Sequence, residues 1–187
     1  MTVLLAVGSI VMVTRTECLS YLETLLEPNR FQDYCPNGLQ VAGRDNISNL
    51  VSGVTASQDL LDAALDLGAD TILVHHGYFW RGEDPRIIGI KQRRLKQLLI
   101  NDVNLIVYHL PLDAHSTLGN NAQLAKLFDF EVDGRISATG EPAIALCGCF
   151  RQEKTVPELA DNIRQTLGRE PLVIQAHDRP MATIGWC

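Results

Sequence analysis

Thr71-Ile-Leu-Val-His75-His76-Gly77 decides how the chain is read, together with its counterpart Leu105-Ile-Val-Tyr108-His109-Leu-Pro-Leu-Asp113-Ala-His115. Each stretch is an apolar β-type run that ends in metal-competent side chains. Four of the five histidines lie in these two stretches. Imidazole nitrogen with carboxylate oxygen suits a first-row divalent ion such as Zn, Mn, Fe or Ni. One helix-type segment separates the runs, as in a βαβ unit. That order brings both strand ends to one edge of a parallel sheet, where open α/β sheets place their sites.

Working outward, Leu50–Thr55 reads as a strand, and Ser57 caps a helix from Gln58 to Leu67. Its Leu60, Leu61, Ala64 and Leu65 point inward, and Gly68 stops it. Thr71–Val74 is apolar throughout, which predicts a strand covered on both faces. A helix follows at Lys91–Asn101, with Leu95, Leu98 and Leu99 toward the core and Lys91, Arg93, Arg94 and Lys96 toward solvent. Leu105–Tyr108 is the next strand and Asn121–Phe128 the next helix. The expectation is an α/β fold of two lobes, with a mostly parallel or mixed sheet and covering helices. Residues 14–128 form the metal-site lobe and 129–187 an incomplete second α/β lobe. The second lobe reads as strands at Ala143–Phe150, Leu172–Gln175 and Met181–Trp186, with a helix at Val156–Leu167.

At the other end, Thr14-Arg15-Thr16-Glu17 has capping-box spacing, and Leu19, Leu22, Leu25 and Leu26 line one helical face until Pro28. Pro36-Asn37-Gly38 signals a turn. Residues 1–13 read as a non-native leader: they lack a basic start and are too short to span a bilayer. Met12, just upstream of the cap, is the expected start.

The 46% hydrophobic and 20% charged composition is that of a globular domain, and a net charge of -6 gives no electrostatic case for nucleic acid. The five cysteines are odd in number and scattered, without a CxxC pair, as expected of reduced thiols in a cytoplasmic protein. No stretch suits a membrane span.

Adjacent side chains of a regular strand point to opposite faces, so His75 and His76 cannot both grip one ion from an undistorted strand. Either the backbone bends at Gly77, or each histidine serves a different ion of a two-metal centre. A hydrogen-bonded structural pair is the alternative. Asp113 lies past Pro111, in an expected loop, where it either turns into the site or caps the following turn. His109 is a ligand or the donor that orients one. His115 is expected to be a solvated loop residue, Cys147-x-Cys149 to be packing, and Arg93-Arg94 to be a solvated face. Tyr78-Phe79-Trp80 either walls a pocket for a planar substrate or belongs to core or interface.

Taken together, Pro36-Asn-Gly-Leu-Gln40, Gly53-Val-Thr-Ala-Ser57, His75-His-Gly-Tyr-Phe-Trp80, His109-Leu-Pro-Leu-Asp-Ala-His115 and Gly119-Asn-Asn-Ala-Gln-Leu-Ala125 resemble the Nif-three-like family. The nearest resemblance is to its YbgI-type branch, the GTP cyclohydrolase I type 2 homologues. The resemblance implies a dinuclear centre of two divalent metal ions (Zn, Fe, Mn or Ni), a toroidal homohexamer, and metal-dependent hydrolysis with a water nucleophile. A ring-forming metal-binding or interaction protein without turnover is the alternative. Carried onto this chain, His75 and Asp113 hold one ion and His76 the other, with His109 close by but outside the usual ligand set. The family completes its site with a later His-x-x-x-Glu pair. His177 has no Glu four residues on, so this chain resembles a truncated copy, with an inactive fragment as a further alternative.

Overall fold

The computed structural model describes residues 12–136 and 142–187. The expected leader lies outside the described residues except for Met12 and Val13. The cap legible in the sequence starts the first helix. Thr14 Oγ1 accepts the Glu17 backbone N–H at 3.2 Å, and Glu17 Oε2 accepts the Thr14 backbone N–H at 2.9 Å. Such caps contribute about 1 kcal/mol. Val13 is part of the fold, not of a leader: β1 (Val13–Thr14) precedes α1 (Arg15–Leu26), and after β2 (Gly38–Val41) comes β3 (Asn46–Ile47), which pairs antiparallel with β1.

The alternation expected from residue 50 onward follows as β4 (Leu50–Thr55), α2 (Gln58–Asp66), β5 (Thr71–His76), α3 (Gly89–Ile100) and β6 (Asn104–Val107). Ser57 Oγ accepts the Leu60 N–H at 3.2 Å to start α2. The sheet order is β2-β6-β5-β4, with β4, β5 and β6 parallel and β2 antiparallel on β6. The sheet is therefore mixed. All four positions of β6 are buried, as in a strand covered on both faces. Leu61, Ile72, Leu98 and Leu105 are fully enclosed in the core, each contributing about 1.5–3 kcal/mol through burial.

Two buried polar residues stitch the amino ends of these strands. Asn104 Nδ2 donates to the Arg44 carbonyl at 2.8 Å, and its Oδ1 accepts the Gly43 N–H at 2.8 Å. Asp70 Oδ2 accepts the Ser48 and Asn49 N–H groups at 2.7 and 2.9 Å. The opposite, carboxyl edge carries the histidines.

Three expectations change here. Leu99 is 60% exposed, because the α3 stripe that reaches the core is Leu95 and Leu98. Lys91 is not solvated: its Nζ lies 5.0 Å over the Phe79 ring and 3.3 Å from Glu83. Arg94 is likewise drawn in, with its buried Nε and its guanidinium beside the Tyr78 hydroxyl.

The chain divides into two compact units at Pro111–Leu112, not at the expected 128/129. The reason is that α5 (Asn120–Phe128) packs on elements that follow it. A short helix, α4 (Leu110–Ala114), runs across the division. The second unit holds α5, β7 (Phe130–Arg135), β8 (Leu146–Lys154), α6 (Val156–Leu167) and β9 (Met181–Trp186). Its sheet is antiparallel in the order β7-β8-β9. Phe130 is the hub of its small core, with ring centroids 5.6 Å from Phe128, 5.5 Å from Phe150 and 5.2 Å from Trp186. The strand expected at Leu172–Gln175 is not a strand, and Leu172 and Ile174 are 93% and 89% exposed.

Candidate metal centre

β5 delivers His75 and His76 to the carboxyl edge of the sheet, and the two residues after β6 are Tyr108 and His109. The ligand-competent atoms of His75, His76 and His109 lie within 4.8 Å of one another. Ring centroids are 4.4 Å apart for His75 and His76, 4.9 Å for His75 and His109, and 5.6 Å for His76 and His109. The strand-alternation problem is met at the strand's last residues, where consecutive imidazoles tilt 47° to each other.

Each ring is held through Nδ1. His75 Nδ1 lies 3.2 Å from the Tyr108 carbonyl, His76 Nδ1 3.2 Å from Thr55 Oγ1, and His109 Nδ1 2.7 Å from Asp33 Oδ1. A carbonyl only accepts, so His75 Nδ1 carries a hydrogen, and in the neutral ring Nε2 then holds the lone pair. That is the form in which imidazole binds metals, with the distal nitrogen oriented by an outer partner.

Around the cluster the chain is clasped tightly. Trp80 Nε1 donates to the Gly77 carbonyl at 3.1 Å, and its ring stands edge-on to His109 at 5.0 Å. Phe79 takes a left-handed conformation with φ 65°, a strain on the order of 1 kcal/mol that clusters at functional sites. Arg81 closes onto the 33–37 segment, donating to the Asp33 carbonyl at 2.9 Å and from its backbone to Tyr34 at 2.7 Å.

Asp33, which carried no assignment in the sequence, is the buried acid of this site, its side chain 3% exposed. Burial acts to raise its pKa, but hydrogen bonds from His109, Asn37, Leu110 and Tyr34 outweigh that and hold the carboxyl below its ordinary value. Cys35 lies close enough to Asp33 and His109 to form a second metal-competent trio. Burial and the Asp33 charge push its thiol up to about 11, so it stays protonated. A thiol in that state is a poor ligand.

Asp113 sits in α4 rather than in a loop, and its carboxylate accepts from Asn120 Nδ2 at 2.7 Å. Asp113 and His115 line a cavity of about 490 Å³ within the second unit, together with Lys126, Arg135 and Arg151. His115 closes its own turn, its Nδ1 accepting the Leu118 N–H at 3.1 Å. Among the described residues no metal-competent trio includes Cys147, Cys149 or His177. All five cysteines are free thiols. No described helix is long and apolar enough to cross a membrane.

A mixed α/β sheet with a histidine cluster at the carboxyl edge of its parallel strands defines the class. The chain belongs to the Duf34/NIF3 (NGG1p interacting factor 3) family, whose model matches residues 13–187. It is 52% identical over 162 residues to a Pseudomonas aeruginosa protein named GTP cyclohydrolase 1 type 2 homolog, covering 87% of this chain and 64% of that one. An Escherichia coli K12 protein of the same name is 48% identical over 177 residues, covering 92% and 68%. The chain thus spans about two thirds of the length of these curated relatives. The solved structure of protein ybgI superposes with a TM-score of 0.88 at 45% identity, covering 94% of this chain and 69% of that one. Reduced HcgD from Methanocaldococcus jannaschii shares the fold at a TM-score of 0.80 and 20% identity.

Proposed function

We propose that the histidine cluster binds divalent first-row metal and that the chain carries part of a two-metal, hydrolase-type centre. The observation that supports this reading is the convergence of His75, His76 and His109 at the carboxyl edge of the parallel strands, each ring held through Nδ1. The donor set fits the group, since three converging imidazoles suit Zn, Fe, Mn or Ni. In this proposal His75 and Asp113 serve one ion and His76 the second, with His109 beside them. When bound, such ions supply Lewis acidity and make water a nucleophile near neutral pH.

The chain's own residues supply the rest. Trp80 packs against the cluster, its ring 5.0 Å from His109 and 6.0 Å from His76. Asp33 Oδ1 holds the outer nitrogen of His109 at 2.7 Å. The relatives named GTP cyclohydrolase 1 type 2 homolog make hydrolytic opening of a nucleotide heterocycle the first reaction to test. Protein loaded with Zn, Mn, Fe or Ni in turn is incubated with GTP. Product formation that a chelator abolishes is the expected result. Bound metal with no turnover of GTP would instead favour a metal-binding protein without hydrolase activity. A homo-oligomer is part of the proposal, read by light scattering on the same samples.

A further inference from the structure

We infer that Asp33 is the positioning residue that fixes the tautomer of His109, placing the hydrogen on Nδ1 and the lone pair on Nε2, the nitrogen left to face His75 and His76. Its consequence for metal binding rests on the proposed metal centre; the tautomer itself does not.

Four donors surround the carboxylate. Oδ1 lies 2.7 Å from His109 Nδ1 and accepts the Tyr34 backbone N–H at 2.6 Å. Oδ2 accepts Asn37 Nδ2 at 2.8 Å and the Leu110 backbone N–H at 2.9 Å. An ionised carboxylate is acceptor-only, so each of its four neighbours must present a hydrogen. Three of them are amide groups that always do. The fourth is His109 Nδ1, and a neutral imidazole has a single N–H to place. Placing it on Nδ1 leaves Nε2 as the accepting nitrogen. The His109 backbone is pinned as well, its N–H donating to Asn37 Oδ1 at 2.8 Å. Ring and backbone of His109 are therefore both set by the 33–37 segment, and Arg81 ties that segment to the chain beyond His76.

The same geometry says what an amide at position 33 does. In Asp33→Asn, one orientation turns the NH2 toward Oδ2's partners and opposes two donors, Asn37 Nδ2 and the Leu110 N–H. The other turns the NH2 toward His109 and opposes only the Tyr34 N–H. The second is favoured, and it requires His109 Nδ1 to accept. The hydrogen then moves to Nε2, and the lone pair is withdrawn from the cluster.

Nitrogen-15 NMR of the metal-free protein, at a pH alkaline to the ordinary imidazole value of about 6.5, reads the tautomer directly. The His109 signal is identified by its absence in His109→Gln. The expected result is Nδ1–H in the wild type and Nε2–H in Asp33→Asn, with the far-UV circular dichroism of the two alike. A wild type showing Nε2–H overturns the inference, whether or not the variant folds. A folded variant that keeps Nδ1–H overturns it too. Titration with Zn²⁺ alone should then show affinity on the order of 10–100-fold weaker in Asp33→Asn. Equal affinities with a switched tautomer would contradict the link from Asp33 to the metal. A wild type with Nδ1–H that binds no Zn²⁺ sinks the metal-centre reading while supporting the control of His109 by Asp33.

Discussion

Gly77→Ala is a sharp perturbation of the candidate centre that leaves every polar group in place. Gly77 is buried between His76 and Tyr78, and a Cβ there would collide with Gln40 Oε1 and Val107 Cγ2. Val107 is wholly enclosed in β6 and cannot move aside cheaply. Gln40 is no freer: its Oε1 accepts the Tyr78 N–H at 2.7 Å and its Nε2 donates to the Pro36 carbonyl at 2.9 Å. Overpacking costs about 1–3 kcal/mol. If Gln40 retreats, the Tyr78 N–H loses its acceptor at about 1–3 kcal/mol more. The expected sum is about 2–6 kcal/mol, or a fall in Tm of roughly 4–24 °C for a chain of this size. Differential scanning fluorimetry reads the shift, and urea titration confirms it. In a Gln40→Ala background the added methyl should cost much less, since one of its two collisions is gone. A Gly77→Ala protein melting within about 1–2 °C of wild type would refute the close approach at the end of β5.

The other predictions concern the first unit. Leu98→Ala should cost about 2–5 kcal/mol by urea titration, whereas Leu99→Ala should stay within about 0.5 kcal/mol, because only Leu98 is enclosed. Tyr78→Phe should lose about 1 kcal/mol with its hydrogen bond to the Ala56 carbonyl at 2.8 Å, while Tyr108→Phe should gain a similar amount, since the buried Tyr108 hydroxyl has no hydrogen-bond partner among the described residues. Burial pushes both phenols up to about 12. A folded-state value above the unfolded one means stability fully present below the unfolded-chain value of about 10. That stability is lost as the pH rises through about 12. Urea midpoints across that window should fall for the wild type and fall less steeply in each phenylalanine variant.

The central alternation was legible because its signals are local. Ser57, Gly68 and the apolar run Thr71–Val74 each mark an element within a few residues. β2 was hidden because Pro36-Asn37-Gly38 spells a turn, and its four residues gain their strand character only by pairing with β6. β7 escaped for a related reason: Phe130–Arg135 is mostly exposed and polar, and its partner β8 is what makes it a strand. Leu172–Gln175 shows the converse, an apolar run that reads as a strand and finds no partner among the described residues. At the site, the histidines announced themselves by clustering in sequence. Asp33 did not, because it meets His109 across 76 residues of chain and belongs to no motif that points there. The inward turn of Lys91 and Arg94 was equally invisible, since the aromatic ring and hydroxyl that receive them lie on a different segment.

Metal content tests the central claim most directly. Wild type, His75→Ala, His76→Ala and the double variant are stripped with chelator, reloaded with Zn²⁺, desalted and measured by elemental analysis, with circular dichroism confirming the fold. The expected result is stoichiometric metal on the wild type, a clear loss in each single variant and none retained by the double variant. A wild type that holds no more metal than the folded double variant would contradict it.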